Sequence, residues 1–143
     1  DLIGRTKNSI GYVDAEWAFA QKIPYATIQN QRGELVEPTA ESISAAASGV
    51  IPADTRTSIT NADAAGAYPI ATFTWVIIYK EQNYSDRSKE QATATLNLLQ
   101  YILSDEAQKI TSEVHYAPLP AQAKELSLKN LKTVTYDGVT ILQ

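Results

Sequence analysis

The stretch "AYPIATFTWVIIYKEQ", residues 67–82, decides how this chain folds. A proline near its start and charged residues at its end bound a continuous run of aromatic and β-branched side chains. A run without polar alternation is typical of a strand that is buried on both faces. We therefore expect residues 70–80 to form a β-strand with helices above and below it. A helix or a solvent-facing segment there would contradict this prediction.

The composition is that of a folded globular protein. The 143 residues are 44% hydrophobic and 20% charged, and a chain of this length buries roughly two-thirds of its unfolded surface. The net charge is -4 and the 12 basic residues are scattered, so the basic stripe of a nucleic-acid-binding protein is absent. We expect no nucleic-acid partner. An anionic small ligand stays possible, because local backbone dipoles and hydrogen bonds hold such a ligand.

Residue types that are missing exclude several kinds of site. The chain has no cysteine, which excludes disulfides, thiolate metal sites and thiol nucleophiles. No apolar run approaches the roughly 20 residues that a membrane-spanning helix needs. The chain also has no methionine, which favours a processed, truncated or excised polypeptide whose natural start is not Asp1.

The first half of the sequence predicts short, mixed elements. "SIGYV" is typical of a strand, and Asp14 is placed to cap a short helix after it. The turn at Gly33 predicts a hairpin, and a helix is expected after Thr39. Residues 50–67 have the composition of a connecting loop.

The second half predicts helices. Ser88, three residues before Gln91, is the signature of a capping box. Apolar residues recur at helical spacing from 92 to 114, with a break and a second cap near Ser104. A further helix is expected in "AQAKELSLKNLK", followed by a turn at Asp137-Gly138. The fold class is therefore mixed α/β.

Four stretches resemble a known family. In order along the chain they are "SIGYVDAEWAFAQKIPYATIQN", "LVEPTAESISAAA", "SITNADAAGAYPIATFTWVIIYKEQ" and "EVHYAPLPAQ". They resemble the periplasmic phosphate-binding proteins of bacterial phosphate ABC transporters, in the family's order and at its approximate spacing. The resemblance covers nearly the whole chain up to about Leu131, and it corresponds to the C-terminal part of the longer family members.

The resemblance implies an α/β, periplasmic-binding-protein-like (type II) fold with two lobes that close about a hinge. Residues 1–67 are then a portion of the second lobe. Residues 68–143 are the crossover strand and the return to the first lobe, with the C-terminal helices. The implied partners are inorganic phosphate, the N-terminal half of the protein or a partner chain, and a membrane permease. The implied location is periplasmic or extracellular, on the surface of a bacterium.

The resemblance also implies that the main phosphate ligands lie in preceding segments. In the family these are hydroxyls and backbone amides at helix starts, an arginine and an aspartate, and none of those motifs is present here. Within this chain, Thr72 and Thr74 are the ligand-binding candidates, because crossover-strand hydroxyls facing the cleft are able to contact a ligand. Threonine is also a good strand former, so a purely structural role competes with this interpretation.

Other candidate residues have simpler explanations. His115 is the only histidine and fits a helix end better than a catalytic centre. The arginines are able to clamp an anion, but their loop-like contexts favour solvated surface; they are Arg5, Arg32, Arg56 and Arg87. Asp14 and Glu16 point to different faces of a helix and do not form an acid pair. With one histidine and no metal-ligand spacing, we expect no enzyme activity, no metal and no cofactor.

Two functions from different classes remain. The first is a phosphate-binding component of an ABC uptake transporter, present as its C-terminal part without the main ligand residues. The second is an interaction or assembly module that kept the fold, pairs with another chain through an exposed sheet edge and does not itself bind ligand. A binder of another oxyanion, such as sulfate or molybdate, is a third hypothesis.

Overall fold

The computed structural model describes residues 2–142. Asp1 and Gln143 lie outside the described residues. The prediction about the natural start of the chain and the outer limits of the two predicted lobes fall on these two residues. The described residues form a mixed α/β arrangement of helices and two short antiparallel hairpins. The helices are α1 (Leu2–Arg5), α2 (Ala15–Ala20), α3 (Ala40–Ala46), α4 (Lys89–Ile102), α5 (Asp105–Glu113) and α6 (Ala121–Leu131). The strands are β1 (Ile28–Gln29), β2 (Leu35–Val36), β3 (Thr135–Tyr136) and β4 (Val139–Thr140).

From Asp14 to α3, local signals place the elements of the first half as predicted. Helix α2 begins after Asp14, although the Asp14 side chain makes no capping hydrogen bond. Strands β1 and β2 pair through Ile28 and Val36, and the turn between them contains Gly33 at φ 79°, a conformation that glycine adopts without strain. Helix α3 starts with a capping box in which Thr39 and Ser42 satisfy each other's backbone amides.

The predicted caps of the second half are also present. Ser88 and Gln91 form a reciprocal capping box at the start of α4. The Ser104 hydroxyl accepts from the Ala107 amide and starts α5, so the predicted break between two helices is confirmed. The β3–β4 hairpin turns at Asp137 and Gly138, both with positive φ. That pair is typical of a two-residue hairpin loop.

Two separate apolar clusters form the core of the described residues. The first consists of alanines and one isoleucine around α3 and the loop after it: Ala46, Ala47, Ile59, Ala67 and Ala71. The second lies between α4, α6 and the C-terminal hairpin: Leu96, Leu131 and Val134. Phe73 packs against the first cluster and Ile78 against the second. The segment between these two residues therefore joins the two clusters.

The prediction of a doubly buried strand at residues 70–80 is wrong for this chain. Residues 71–79 run without a turn or bend but are in no sheet, and the apolar side chains in the middle of the segment face solvent: Val76 is 64% and Ile77 is 92% exposed. The only pairing nearby is a single parallel bridge between Glu81 and Thr135, as far as residues 2–142 are concerned. The physical reason is that the described residues supply no neighbouring strand to cover the run.

The predicted strand at "SIGYV" is wrong for the same reason. Residues 9–14 form no regular element, and the side chains of Ile10 and Tyr12 are almost fully exposed. A short apolar segment forms a strand only when another strand pairs with it. No such neighbour is found for this segment within the described residues.

A carboxylate fastens the end of the 71–79 segment to the C-terminal hairpin. Glu81 accepts hydrogen bonds from the Asn83 amide at 2.9 Å, the Thr135 hydroxyl at 2.8 Å and the Gly138 amide at 3.1 Å. The Asp137 amide donates a fourth bond at 3.0 Å. These donors, led by the Asn83 amide, lower the pKa of Glu81 from 4.5 to about 2. The bridge is therefore strongest when Glu81 is ionised.

We expect Leu96→Ala to lower the free energy of unfolding by about 2–5 kcal/mol, because Leu96 is fully buried in the second cluster. The matched control is Leu98→Ala on the same helix, where the side chain is 57% exposed. The control should change the free energy of unfolding by no more than about 0.5 kcal/mol. Urea unfolding followed by circular dichroism measures both. Equal losses in the two variants would contradict the assigned core.

We expect Glu81→Gln to lower stability at neutral pH and to flatten its pH dependence. A carboxylate whose pKa is depressed on folding stabilises the protein above its unfolded pKa near 4.5, and the contribution is lost as pH falls through about 2. Thermal unfolding from pH 7 to pH 2 should therefore show a smaller acid-induced decrease in Tm for the variant. Glu113→Gln, at the exposed end of α5, is the control. A decrease in the Glu81 variant as steep as in the parent chain would disprove the role of the bridge.

Candidate functional site

An apolar groove lies between the extended segment and two helices, and we call it the central groove. Its volume is about 680 Å³. One wall is the backbone and side chains of residues 73–78, and the other is made by α4, α6 and the turn before α6. The helical wall contributes Leu99, Ile102, Leu103, Leu119, Ala123 and Leu131.

The groove suits apolar groups better than an anion. Most of its lining residues are apolar, and Arg56, one of its two basic residues, is already paired with Asp54 at 3.0 Å. Taking an ion out of water without hydrogen-bond partners costs several kcal/mol. The groove is therefore shaped to receive apolar side chains.

The structure separates the two predicted ligand residues. Thr74 lines the central groove. Thr72 does not, and its hydroxyl donates to the Phe73 carbonyl at 3.3 Å. Both residues are exposed. The structure therefore brings only Thr74 to the groove, on a wall that is mostly apolar.

Nearby groups hold Arg32, Arg56 and Arg87. Arg32 pairs with Asp63 at 3.5 Å, and Arg56 with Asp54. Arg87 donates to the Tyr84 hydroxyl at 2.8 Å and also contacts Thr95, which ties the loop before α4 to that helix. These arginines serve local structure, and each has a partner from its own surroundings.

His115 lies at the end of α5 and takes a positive φ of 66°. Its ring contacts Phe19 edge-on at 5.8 Å between centroids. Next to it, the Tyr116 hydroxyl donates to Glu16 at 2.8 Å, and this bond to a carboxylate raises the pKa of Tyr116. These contacts join α2 to the end of α5, so His115 and Tyr116 have packing roles.

A polar cluster that sequence reasoning missed organises the first hairpin. The Asn30 amide donates to Glu34 at 2.8 Å and to the Ala67 carbonyl at 3.1 Å. Glu34 also accepts from the Gly66 amide at 2.8 Å. The bond from Asn30, followed by that from Gly66, lowers the pKa of Glu34. The motif "NQRGE" signals this turn, but no local pattern reveals that residues 66 and 67 close it.

The helical wall of the groove was also missed as a site. Leu99 and Leu103 are recognisable as the apolar face of a helix, and that pattern predicts core packing. Whether these leucines line a cavity depends on the segment packed opposite them. The apolar pattern of one helix carries no information about that segment. Among residues 2–142, no group of three or more metal-ligating side chains comes together. No helix there is long and apolar enough to cross a bilayer.

Comparison with known proteins gives a consistent set of relatives, although no family model matches the chain. The phosphate-binding protein PstS of Xylella fastidiosa strain Temecula1 is 36% identical over 121 residues, which cover 82% of this chain and 32% of that protein. PstS of Methanocaldococcus jannaschii is 28% identical over 142 residues, covering 93% and 36%. PstS of Haemophilus influenzae is 29% identical over 143 residues, covering 92% and 39%.

The matches span most of this chain but only about a third of each relative's length. They confirm the resemblance that the four sequence stretches carry. The chain is therefore a PstS-like sequence, related to the phosphate-binding proteins over about a third of their length.

Proposed function

We propose that this chain is the C-terminal part of a phosphate-binding component of an ABC uptake transporter. The observation that carries the proposal is its similarity to proteins named phosphate-binding protein PstS over most of its length. In such a component the protein binds and releases its ligand without chemical change, so the role is non-enzymatic. The location that goes with this role is periplasmic or on the cell surface, with a membrane permease as the recipient of phosphate.

Two features support a two-lobed, type II binding-protein fold. The apolar clusters around α3 and around α4 are separate, and the extended segment from Phe73 to Ile78 connects them. We assign residues 1–67 to the second lobe and residues 68–143 to the crossover and the return to the first lobe. A connecting segment of this kind is where a hinge between lobes is placed.

The main phosphate ligands are assigned to polypeptide outside this chain. The central groove is apolar, and three of the arginines are held by their own neighbours. In the complete protein, an acceptor carboxylate would accept a hydrogen bond from the O–H of protonated phosphate and reject fully ionised sulfate, which leaves that acceptor unpaired. This chain contributes lobe packing, the hinge segment and part of the cleft wall.

An assembly module without ligand binding is the second candidate. The observation that favours it is the exposed apolar run at residues 72–79, which is suited to pairing with another chain. A binder of sulfate or molybdate is the third. Both differ from the leading proposal in their response to phosphate.

Titration calorimetry distinguishes these proposals. We expect the chain alone to show no heat of phosphate binding, because the main ligands lie elsewhere. Mixed with the remaining part of the Xylella fastidiosa relative, it should bind phosphate with about one site per complex.

Three other outcomes decide against the leading proposal. Phosphate binding by the chain alone would contradict the location of the ligands. A complex that binds no oxyanion would favour the assembly module. Preference for sulfate or molybdate in competition would favour the third candidate.

We propose that Thr72 and Thr74 are at most secondary ligand contacts. In the same complex, Thr72→Val and Thr74→Val should each weaken phosphate affinity by less than about threefold, since the Thr72 hydroxyl already bonds to the Phe73 carbonyl and Thr74 lines an apolar wall. Loss of one direct hydrogen bond to the anion would cost about tenfold or more. A tenfold loss in either variant, measured by calorimetry, would make that threonine a direct ligand.

A further inference from the structure

The turn of the C-terminal hairpin contains a pair of residues whose backbone is chemically reactive. Asp137-Gly138 is the single Asp-Gly pair in the sequence, and both residues are exposed. Glycine has no side chain to shield its backbone nitrogen, so an aspartate that precedes glycine is poorly protected from attack by that nitrogen. The turn therefore has the composition of a site at which aspartate isomerises to isoaspartate.

This reaction needs no reagent other than water. The Gly138 nitrogen bonds to the side-chain carboxyl carbon of Asp137, and one carboxyl oxygen leaves as water with the amide proton and the carboxyl proton. Water then opens the resulting five-membered imide at either carbonyl carbon, which gives aspartate again or isoaspartate. No atom is gained or lost overall, but the backbone through isoaspartate is one carbon longer. In so short a turn, this extra carbon would disturb the pairing of Tyr136 with Val139.

In the folded chain, the attacking nitrogen is already hydrogen-bonded. The Gly138 amide donates to Glu81 Oε2 at 3.1 Å, and the Asp137 amide donates to Glu81 Oε1 at 3.0 Å. The Gly138 amide must give up this bond before its nitrogen attacks the Asp137 side chain. A hydrogen bond to an ionised acceptor is stronger than one between neutral groups, so Glu81 opposes the first step of the reaction.

The side chain under attack is held as well, by a residue 54 positions away in the sequence. Asn83 Nδ2 donates to Asp137 Oδ1. Asn83 is itself fastened to the same carboxylate, because its backbone amide donates to Glu81 Oε1 at 2.9 Å. A carboxylate fixed by a hydrogen bond samples fewer of the orientations from which the imide forms. Both reacting groups of the turn are therefore restrained.

We propose that Asp137 is a modification site, at which isoaspartate forms when the turn is released, and that Glu81 and Asn83 protect it in the folded chain. The inference is independent of the proposed function, because it concerns bonds within the described residues alone. It gives Glu81 a second role. Besides fastening the end of the extended segment, this carboxylate preserves the covalent structure of the turn to which it is bonded.

Contact between Glu81 and the Gly138 amide also has an opposite chemical effect to consider. A carboxylate that takes the amide proton acts as a general base and speeds the attack. Glu81 is a poor base, however, because its four donors stabilise the ionised form and lower its pKa to about 2. Protection is therefore the expected sign, and removal of the carboxylate should speed the reaction.

The test follows isoaspartate at residue 137 at neutral pH, at a temperature where circular dichroism shows each variant folded. Trypsin cleavage after Lys132 releases residues 133–143, in which Asp137 is the only aspartate. Chromatography with mass spectrometry then separates the two isomers, which have equal mass. A synthetic peptide of residues 133–143 gives the unprotected rate. The folded chain should react about tenfold more slowly than the peptide, and Glu81→Ala should remove most of that difference.

Glu34→Ala is the matched control, because Glu34 also accepts from an asparagine side chain and a glycine amide, at the first hairpin. It should change the rate at Asp137 less than about twofold. Asn83→Ala leaves Glu81 in place and should raise the rate by a smaller factor than Glu81→Ala; it carries the test if Glu81→Ala does not fold.

Several results would overturn the inference. An unchanged rate in Glu81→Ala removes the protective role, and a slower rate shows that Glu81 is a base for the attack. An equal rise in Glu34→Ala assigns the effect to general loss of stability. An unchanged rate in Asn83→Ala shows that the side-chain restraint is wrong.

Discussion

One constraint governs this structure. An extended apolar segment is stable only when its side chains are buried and its backbone amide and carbonyl groups are hydrogen-bonded. Residues 72–79 leave the side chains of Trp75, Val76, Ile77 and Tyr79 exposed, and their amides have no hydrogen-bond partner among the described residues. Exposed apolar surface costs about 25 cal/mol per Å² relative to burial, and an unpaired strand edge attracts other strands. A chain that carries such a segment is expected to gain stability from covering it.

The rest of the fold is arranged around this segment. Its ends are anchored, because Phe73 packs on the cluster at α3 and Ile78 on the cluster between α4 and α6. Beyond Ile78, Glu81 joins it to the C-terminal hairpin through four donors. The middle of the segment is therefore held in place but uncovered. This arrangement agrees with the proposed role of the segment as a connector between two lobes.

The sequence predicted caps and turns correctly, but it did not predict which apolar segments are buried by tertiary contacts. Caps and turns depend on neighbouring residues, so Ser88, Thr39 and the Asp137-Gly138 turn were identified from short patterns and are present. Burial of residues 70–80 depends on strands that residues 2–142 do not supply, and the apolar pattern alone could not show that. The hydrogen bond from the Asn30 side chain to the Ala67 carbonyl joins residues 37 positions apart, and no local sequence pattern predicts it. Of the candidate site, the groove's leucines were predicted as helix faces but not as the wall of a cavity.

The central proposal is that polypeptide outside this chain covers residues 72–79. Amide hydrogen exchange of these residues, compared between this chain alone and the complete natural protein, tests the claim most directly. The account predicts fast exchange at residues 72–79 in the isolated chain and strong protection of the same amides in the complete protein. Equally fast exchange in both would contradict the account.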